Sequence, residues 1–184
     1  MGKRAVFIDR DGTLVHARHY PRRPEDLVLH DGVGRELTAL RDNGFTIVVI
    51  SNQSGIARGY FDAAALRAMH EHLARQLASE GARLDAIYFC PHAPEDDCAC
   101  RKPAPGMLLD ASRDLDIDLA RSWMVGDILD DVEAGRRVGC RTALVDRGTE
   151  KLPAPAERAP DVVARDTVTA LRYIRQQEFD RARG

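Results

Sequence analysis

The chain has 184 residues, 44% hydrophobic and 30% charged, enough apolar content for one self-supporting domain spanning residues 1–184. Its 27 basic and 29 acidic residues are interspersed and leave a formal net charge of -2, so no broad field favours nucleic acid or an anionic membrane, and a small diffusible substrate is expected. No segment has the make-up of a signal peptide or the ~20 apolar residues of a membrane span, which points to a cytoplasmic protein, expected as a monomer.

Along the chain, short apolar runs rich in β-branched residues alternate with stretches of helical spacing. A first strand is predicted at Ala5 to Ile8 and a helix from about Gly34 to Asp42. A second strand at Phe45 to Ile50 precedes the clearest helix, Asp62 to Glu80, where Leu66, Met69, Leu73 and Leu77 recur at three and four residues and Asp62 caps the start. Further strands are expected at Ala86 to Phe89, Trp123 to Val125 and Thr142 to Val145, with helices at Gly106 to Leu115, Asp130 to Val138 and Thr167 to Gln177. LPAPAERAP, residues 152–160, reads as a proline-rich loop, and Glu178 to Gly184 as a fraying helical tail. This alternation predicts an α/β fold, a Rossmann-like doubly wound and mainly parallel sheet. Ligands of such sheets bind outside the carboxyl ends of the strands, at the switch in strand order.

The residues with chemistry to offer fall at those ends. FIDRDGTLV, residues 7–15, sets Asp9 and Asp11 one residue apart after the first strand. Two carboxylates held so close repel, and a bound cation or charged ligand would offset that, although an acidic turn with Gly12 and Thr13 accounts for the pair taken alone. SNQSG, residues 51–55, has the hydroxyls, amides and glycine of a phosphate cradle, and equally those of an ordinary polar loop. RKP, residues 101–103, places two cations before a proline that keeps the segment extended, so that Arg101 and Lys102 diverge. VGDILDD, residues 125–131, brings Asp127 to another strand end, where it would complete an oxygen site with Asp9 and Asp11 suited to Mg2+. A hard-metal site, a polar cradle and two cations at one sheet edge fit phosphoryl transfer, in which positioning and charge neutralisation do most of the catalysis. Separately, CPHAPEDDCAC, residues 90–100, offers Cys90, His92, Cys98 and Cys100, a tetrahedral set for a structural Zn2+ that would clamp the loop leading into Arg101 and Lys102. Cys140 reads as a core residue, Trp123 as packed, and His70 and His72 as solvated on the long helix.

DRDGT at residues 9–13, SNQSG, RKP and GD at 126–127 resemble, in order and spacing, the motifs of the haloacid dehalogenase superfamily of aspartate-nucleophile phosphatases. The zinc loop and RKP are most similar to the branch that holds D-glycero-D-manno-heptose 1,7-bisphosphate 7-phosphatases and histidinol phosphatases. The resemblance implies that Asp9 is the nucleophile, that Asp11 protonates the leaving alkoxide and then activates water, and that Mg2+ sits on Asp9, the Asp11 carbonyl and Asp127. It implies phosphoryl-group stabilisation by Ser51 and Lys102, and substrate contacts from Tyr20, Asn52, Gln53, Ser54 and Arg101. Ile128 stands where the heptose enzymes often carry lysine. The chain has no room for a large cap domain, so a capless fold is expected, with selection left to loops at 15–24, 54–61 and 90–102. SNQSGIARGYF, residues 51–61, looks like the heptose enzymes, with Arg58 placed to read a second phosphate, whereas the five residues between His92 and Cys98 look like the histidinol enzymes. The expected substrate is therefore a phosphorylated sugar, with a phosphorylated amino alcohol as the alternative. A receiver domain also phosphorylates an aspartate, but it needs no second acid like Asp11.

Overall fold

The protein is described here from a computed structural model covering the backbone of residues 2–181 and the side chains of residues 2–177. Strands β1 (Arg4–Ile8), β2 (Phe45–Asn52), β3 (Ala86–Cys90), β4 (Trp123–Gly126), β5 (Arg141–Val145) and β6 (Val162–Ala164) form one sheet in the order β3-β2-β1-β4-β5-β6. Every adjacent pair is parallel. The order reverses at β1, whose neighbours are β2 and β4, so the crevice of a doubly wound sheet opens at the carboxyl ends of β1 and β4.

Strand alternation sorts the core into two layers. Val6 and Ile8 of β1 face the same way as Ile47 and Val49 and pack beneath α1 (Val33–Asp42), α2 (Ala63–Ser79) and α5 (Thr167–Arg181). Ala5 and Phe7 face the other way, with Val48 and Ile50, toward α3 (Gly106–Leu115) and α4 (Leu129–Arg137). The apolar spacing foreseen in the long helix is what buries it: Leu66, Met69, Leu73 and Leu77 are all inside. Asp62 caps that helix by accepting a hydrogen bond from the Ala65 amide at 2.8 Å.

The structure departs from the sequence expectations in three places. β6 was not among the expected strands; it is a three-residue edge strand with Val163 half exposed, too short to stand out beside the proline-rich loop. β2 runs to Asn52, so Ser51 and Asn52 are strand residues and not loop residues. α5 continues unbroken to Arg181 through much of the stretch expected to fray, while residues 182–184 lie outside the described residues. Trp123 is packed, as expected, with its ring edge-on to Tyr173, and Cys140 is a core residue. Among the described residues, only 3-10 turns such as Pro24–Asp26 and Pro94–Asp96 interrupt the connections over the sheet's carboxyl edge, in keeping with the capless expectation. No helix among them is long and apolar enough to cross a membrane.

Candidate active site

Asp9 is the first residue past β1, and its amide donates to the Val125 carbonyl at 2.9 Å, which ties the ends of β1 and β4 together. Its carboxylate is nearly buried beside the Lys102 ammonium, with Nζ to Oδ1 at 2.6 Å. The same Nζ lies 2.6 Å from Asp131 Oδ1 and donates to the Ile50 carbonyl at 2.8 Å. Asp127, at the end of β4, accepts from the Thr13 hydroxyl at 3.1 Å. Gly12 has φ +91, and any β-carbon there would collide with the Asp127 carboxylate, so the loop closes on the site only because this residue is glycine.

Three carboxylates, Asp9, Asp127 and Asp131, thus bring oxygens within 4.8 Å of one another around one ammonium. Burial pushes the Asp9 carboxyl up to about 7 against the pull of Lys102, with Asp131 and Asp11 adding repulsion. Burial and the Asp9 charge push Asp127 up to about 6, and burial raises Asp131 despite Lys102. Lys102 is held above the ordinary lysine range because Asp131 and Asp9 outweigh its desolvation. The cluster carries two more negative charges than its one cation balances, and the donors are all hard oxygens, which is what a Mg2+ site requires. Asp9, Asp11, Asn52, Lys102, Asp127 and Ile128 line a cavity of about 170 Å³ over this cluster, the size of a phosphoryl group with its waters.

Asp11 sits at the rim between that cavity and a second one of about 240 Å³. Its Oδ2 accepts from the Gln53 amide at 2.8 Å and from the Arg10 guanidinium at 2.7 Å. Gln53 donates also to the Ser51 hydroxyl at 2.7 Å, which fixes the polar cradle at the end of β2. Asn52 clamps the Lys102 backbone in both directions: its amide donates to the Lys102 carbonyl at 3.1 Å and its oxygen accepts from the Lys102 amide at 3.0 Å. The second cavity is walled by Arg18, His19, Tyr20, Ser54 and Phe61, with Tyr20 in the left-handed region at φ 46 and its ring edge-on to Tyr60.

The cysteine loop leads directly into Lys102. The Cys90, Cys98 and Cys100 sulfurs lie 3.0 to 3.5 Å apart, and His92 Nδ1 lies 3.5 Å from Cys90 and 3.3 Å from Cys100. Against its desolvation, hydrogen bonds from Cys100 and from the Arg101 backbone lower the Cys98 pKa, while burial raises those of Cys90 and Cys100. Four soft or borderline donors within reach of one ion fit Zn2+ with no position left for a reacting water.

Asp9, Asp11, Ser51, Asn52, Gln53, Lys102 and Asp127 are therefore brought together as the sequence led one to expect, and Tyr20 and Ser54 line the adjoining cavity. Arg101 and Arg58 do not line either cavity. Arg101 donates to the His92 carbonyl at 3.3 Å and faces a separate cleft with Asp130 and Arg137, while Arg58 pairs with Glu95 at 3.8 Å. His70, expected in solvent, is instead half-buried against Arg10 and Phe89, and burial with the Arg10 charge lowers its pKa to about 4. The sequence offers Asp130 and Asp131 equally as residues to orient the metal's waters, and it is Asp131 that joins the carboxylate cluster, on Lys102. The signal is the acidic first turn of α4: Asp131 is its third residue, and its Oδ2 accepts from the Ile128 amide at 3.4 Å, which turns the carboxylate back toward the end of β4.

Fold and site define a class: a doubly wound hydrolase with a hard-metal, phosphate-sized centre at the switch point. The family model described as "HAD-hyrolase-like" matches residues 99–170. The D-glycero-beta-D-manno-heptose-1,7-bisphosphate 7-phosphatase of Haemophilus ducreyi is 41% identical over 181 residues, 95% of this chain and 100% of that one. The enzyme of the same name from Escherichia coli is 38% identical over 95% of each chain. The crystal structure of D,D-heptose 1,7-bisphosphate phosphatase from B. bronchiseptica, complexed with magnesium and phosphate, superposes with a TM-score of 0.85 at 36% identity, covering 95% of this chain and 99% of that one. This chain belongs to the haloacid dehalogenase superfamily of HAD-like hydrolases, whose phosphatases use Mg2+.

Two outcomes follow from the charges at the site. The folded protein holds protons on Asp9 and Asp127 that the unfolded chain has released above its ordinary value of 3.8, so without metal these groups make stability fall as pH rises from about 4 to about 7. Mg2+ competes with those protons, and the rise in Tm on adding Mg2+ is expected to be larger at about pH 8 than at about pH 5; an equal rise at both would contradict this reading. If Cys90, His92, Cys98 and Cys100 hold Zn2+, a chelator is expected to lower Tm and expose residues 90–102 to protease, measured by calorimetry and limited digestion.

Proposed function

We propose that this protein is a Mg2+-dependent phosphatase that removes the 7-phosphate of D-glycero-beta-D-manno-heptose 1,7-bisphosphate through a phosphoryl group held transiently on Asp9. The observation that carries the chemistry is the Asp9 carboxylate set 2.6 Å from Lys102 at the base of a phosphate-sized cavity, with Asp11 at its rim. The names of relatives that are about 40% identical over nearly the full chain support the substrate.

In this reading the Asp9 carboxylate attacks phosphorus, the bond from phosphorus to the sugar oxygen breaks, and Asp11 gives its proton to that oxygen. Asp11, now ionised, takes a proton from water as the water oxygen attacks the same phosphorus; the bond to Asp9 breaks, releasing inorganic phosphate and restoring both carboxyl groups. Lys102 stays on the Asp9 carboxylate and neutralises the transferred group, and the Ser51 hydroxyl and Gln53 amide border its oxygens. Asp9, Asp127 and the Asp11 carbonyl would hold Mg2+, which would supply positive charge against the phosphoryl oxygens. Asp131 keeps Lys102 in place from the opposite side. The heptose body occupies the cavity beside Tyr20, Ser54 and Arg18, open to solvent because no cap covers it. Cys90, His92, Cys98 and Cys100 would hold a structural Zn2+ that fixes the approach to Lys102. The enzyme acts in the cytoplasm as a monomer on a small phosphorylated sugar.

The test is phosphate release, with Mg2+, from both anomers of the heptose bisphosphate and from histidinol phosphate. The expected kcat/KM for the beta heptose ester is at least about a hundredfold above that for histidinol phosphate, ~2.7 kcal/mol of transition-state discrimination, with activity abolished in Asp9→Asn. A preference for histidinol phosphate would overturn the substrate assignment and shift specificity to the short zinc loop.

A further inference from the structure

Arg10 is the residue between the two aspartates, and it is fully buried. A guanidinium removed from water carries a large desolvation penalty and needs close partners. Among its described contacts it has one ion-pair partner, Asp11, whose own side chain is 27% exposed at the rim of the site. The planar fork meets Asp11 with Nη2 at 2.7 Å from Oδ2 and Nε at 3.1 Å from each oxygen. On its far side, Nη1 lies 3.3 Å from His70 Nε2. A guanidinium only donates, so His70 must present Nε2 as an acceptor, which requires the neutral ring with its hydrogen on Nδ1. The low pKa of that buried ring, about 4, keeps it in this form at neutral pH. His70 is in turn held on α2 with its ring 5.9 Å from that of Phe89.

We infer that Arg10 and His70 are positioning residues for Asp11, His70 holding the guanidinium fork in plane so that the fork sets which Asp11 oxygen faces the substrate. Oδ2 is taken by two short hydrogen bonds, from Arg10 and Gln53. Oδ1 keeps only the longer Nε contact, and is the oxygen that carries the proton to the leaving group and takes it back from water. A bidentate fork does this where a lysine would not, because two planar groups locked together lose their freedom to rotate. The inference rests on the reading of Asp11 as acid and base, and its test separates the two.

General-acid help matters for an alkoxide leaving group and little for p-nitrophenolate, which leaves without a proton. The measurement is kcat/KM, which ends at formation of the phosphorylated enzyme, for the heptose bisphosphate and for p-nitrophenyl phosphate. His70→Phe removes the acceptor and keeps a ring beside Phe89; His70→Gln restores an acceptor near the Nε2 position; Arg10→Lys keeps the charge and loses the fork; Asp11→Asn is the reference. The expected result is that His70→Phe and Arg10→Lys lose about tenfold more on the sugar ester than on the aryl ester, in the same direction as Asp11→Asn, and that His70→Gln recovers most of the loss. Equal losses on both esters in His70→Phe, with Asp11→Asn still selective, would show a merely structural ion pair and overturn the inference. If Arg10→Lys fails to fold, the two His70 variants decide it alone. No selectivity in Asp11→Asn itself would overturn the acid assignment and the inference with it.

Discussion

One buried ammonium holds this site together. Lys102 reaches from the far edge of the sheet and places Nζ among Asp9, Asp131 and the Ile50 carbonyl, all within 2.8 Å. An unpaired charge at that depth would be prohibitive, so the ends of β1, β2 and β4 are drawn toward one point. The surrounding devices serve that placement. Asn52 imitates a strand partner for the Lys102 backbone, and the cysteine loop ends two residues before it. Gly126 leaves the space beside Asp131 that any side chain would fill. One cation among three carboxylates remains short of neutrality, and this deficit makes the centre receptive to a divalent cation.

The same imbalance links stability to function. Burial makes Asp9 and Asp127 costly as ionised carboxylates, and it raises the pKa of both. A fold selected only for stability would replace such a cluster with apolar packing, of which the sheet has ample supply on both faces. Instead, two well-packed layers fix the strand ends while the connections above them stay irregular and polar. Catalysis of phosphoryl transfer asks for such a frame, because its work is the placing of charge around a group that brings its own negative oxygens.

Much of this was legible in the residues themselves. Alternating runs such as Ala5 to Ile8 and the Leu66, Met69, Leu73, Leu77 stripe identified buried faces because burial is repeated along an element. Asp9, Lys102 and Asp127 were legible because an acid pair, a polar cradle, two cations and a further acid follow in order toward one predicted sheet edge, although each taken alone has an ordinary structural reading. β6 escaped because three residues on a sheet edge produce no pattern. The Arg10 and His70 contact escaped because it joins residues 60 apart whose types are common on surfaces, and only the packing of α2 over β1 brings them together. Arg58 and Arg101 illustrate the converse: the sequence identified cations in the right loops, but the direction of each side chain is set by Glu95 and by the His92 carbonyl.

The proposed function depends on Asp9 receiving the phosphoryl group. Its most direct test is rapid-quench peptide mass spectrometry of Asp11→Asn during turnover of p-nitrophenyl phosphate, whose leaving group needs no acid, so that loss of the base alone should let the intermediate accumulate. One phosphoryl group on the peptide containing Asp9, absent in the Asp9→Asn, Asp11→Asn double variant, is the predicted result. Steady phosphate release with no adduct, or an adduct on another residue, would contradict it.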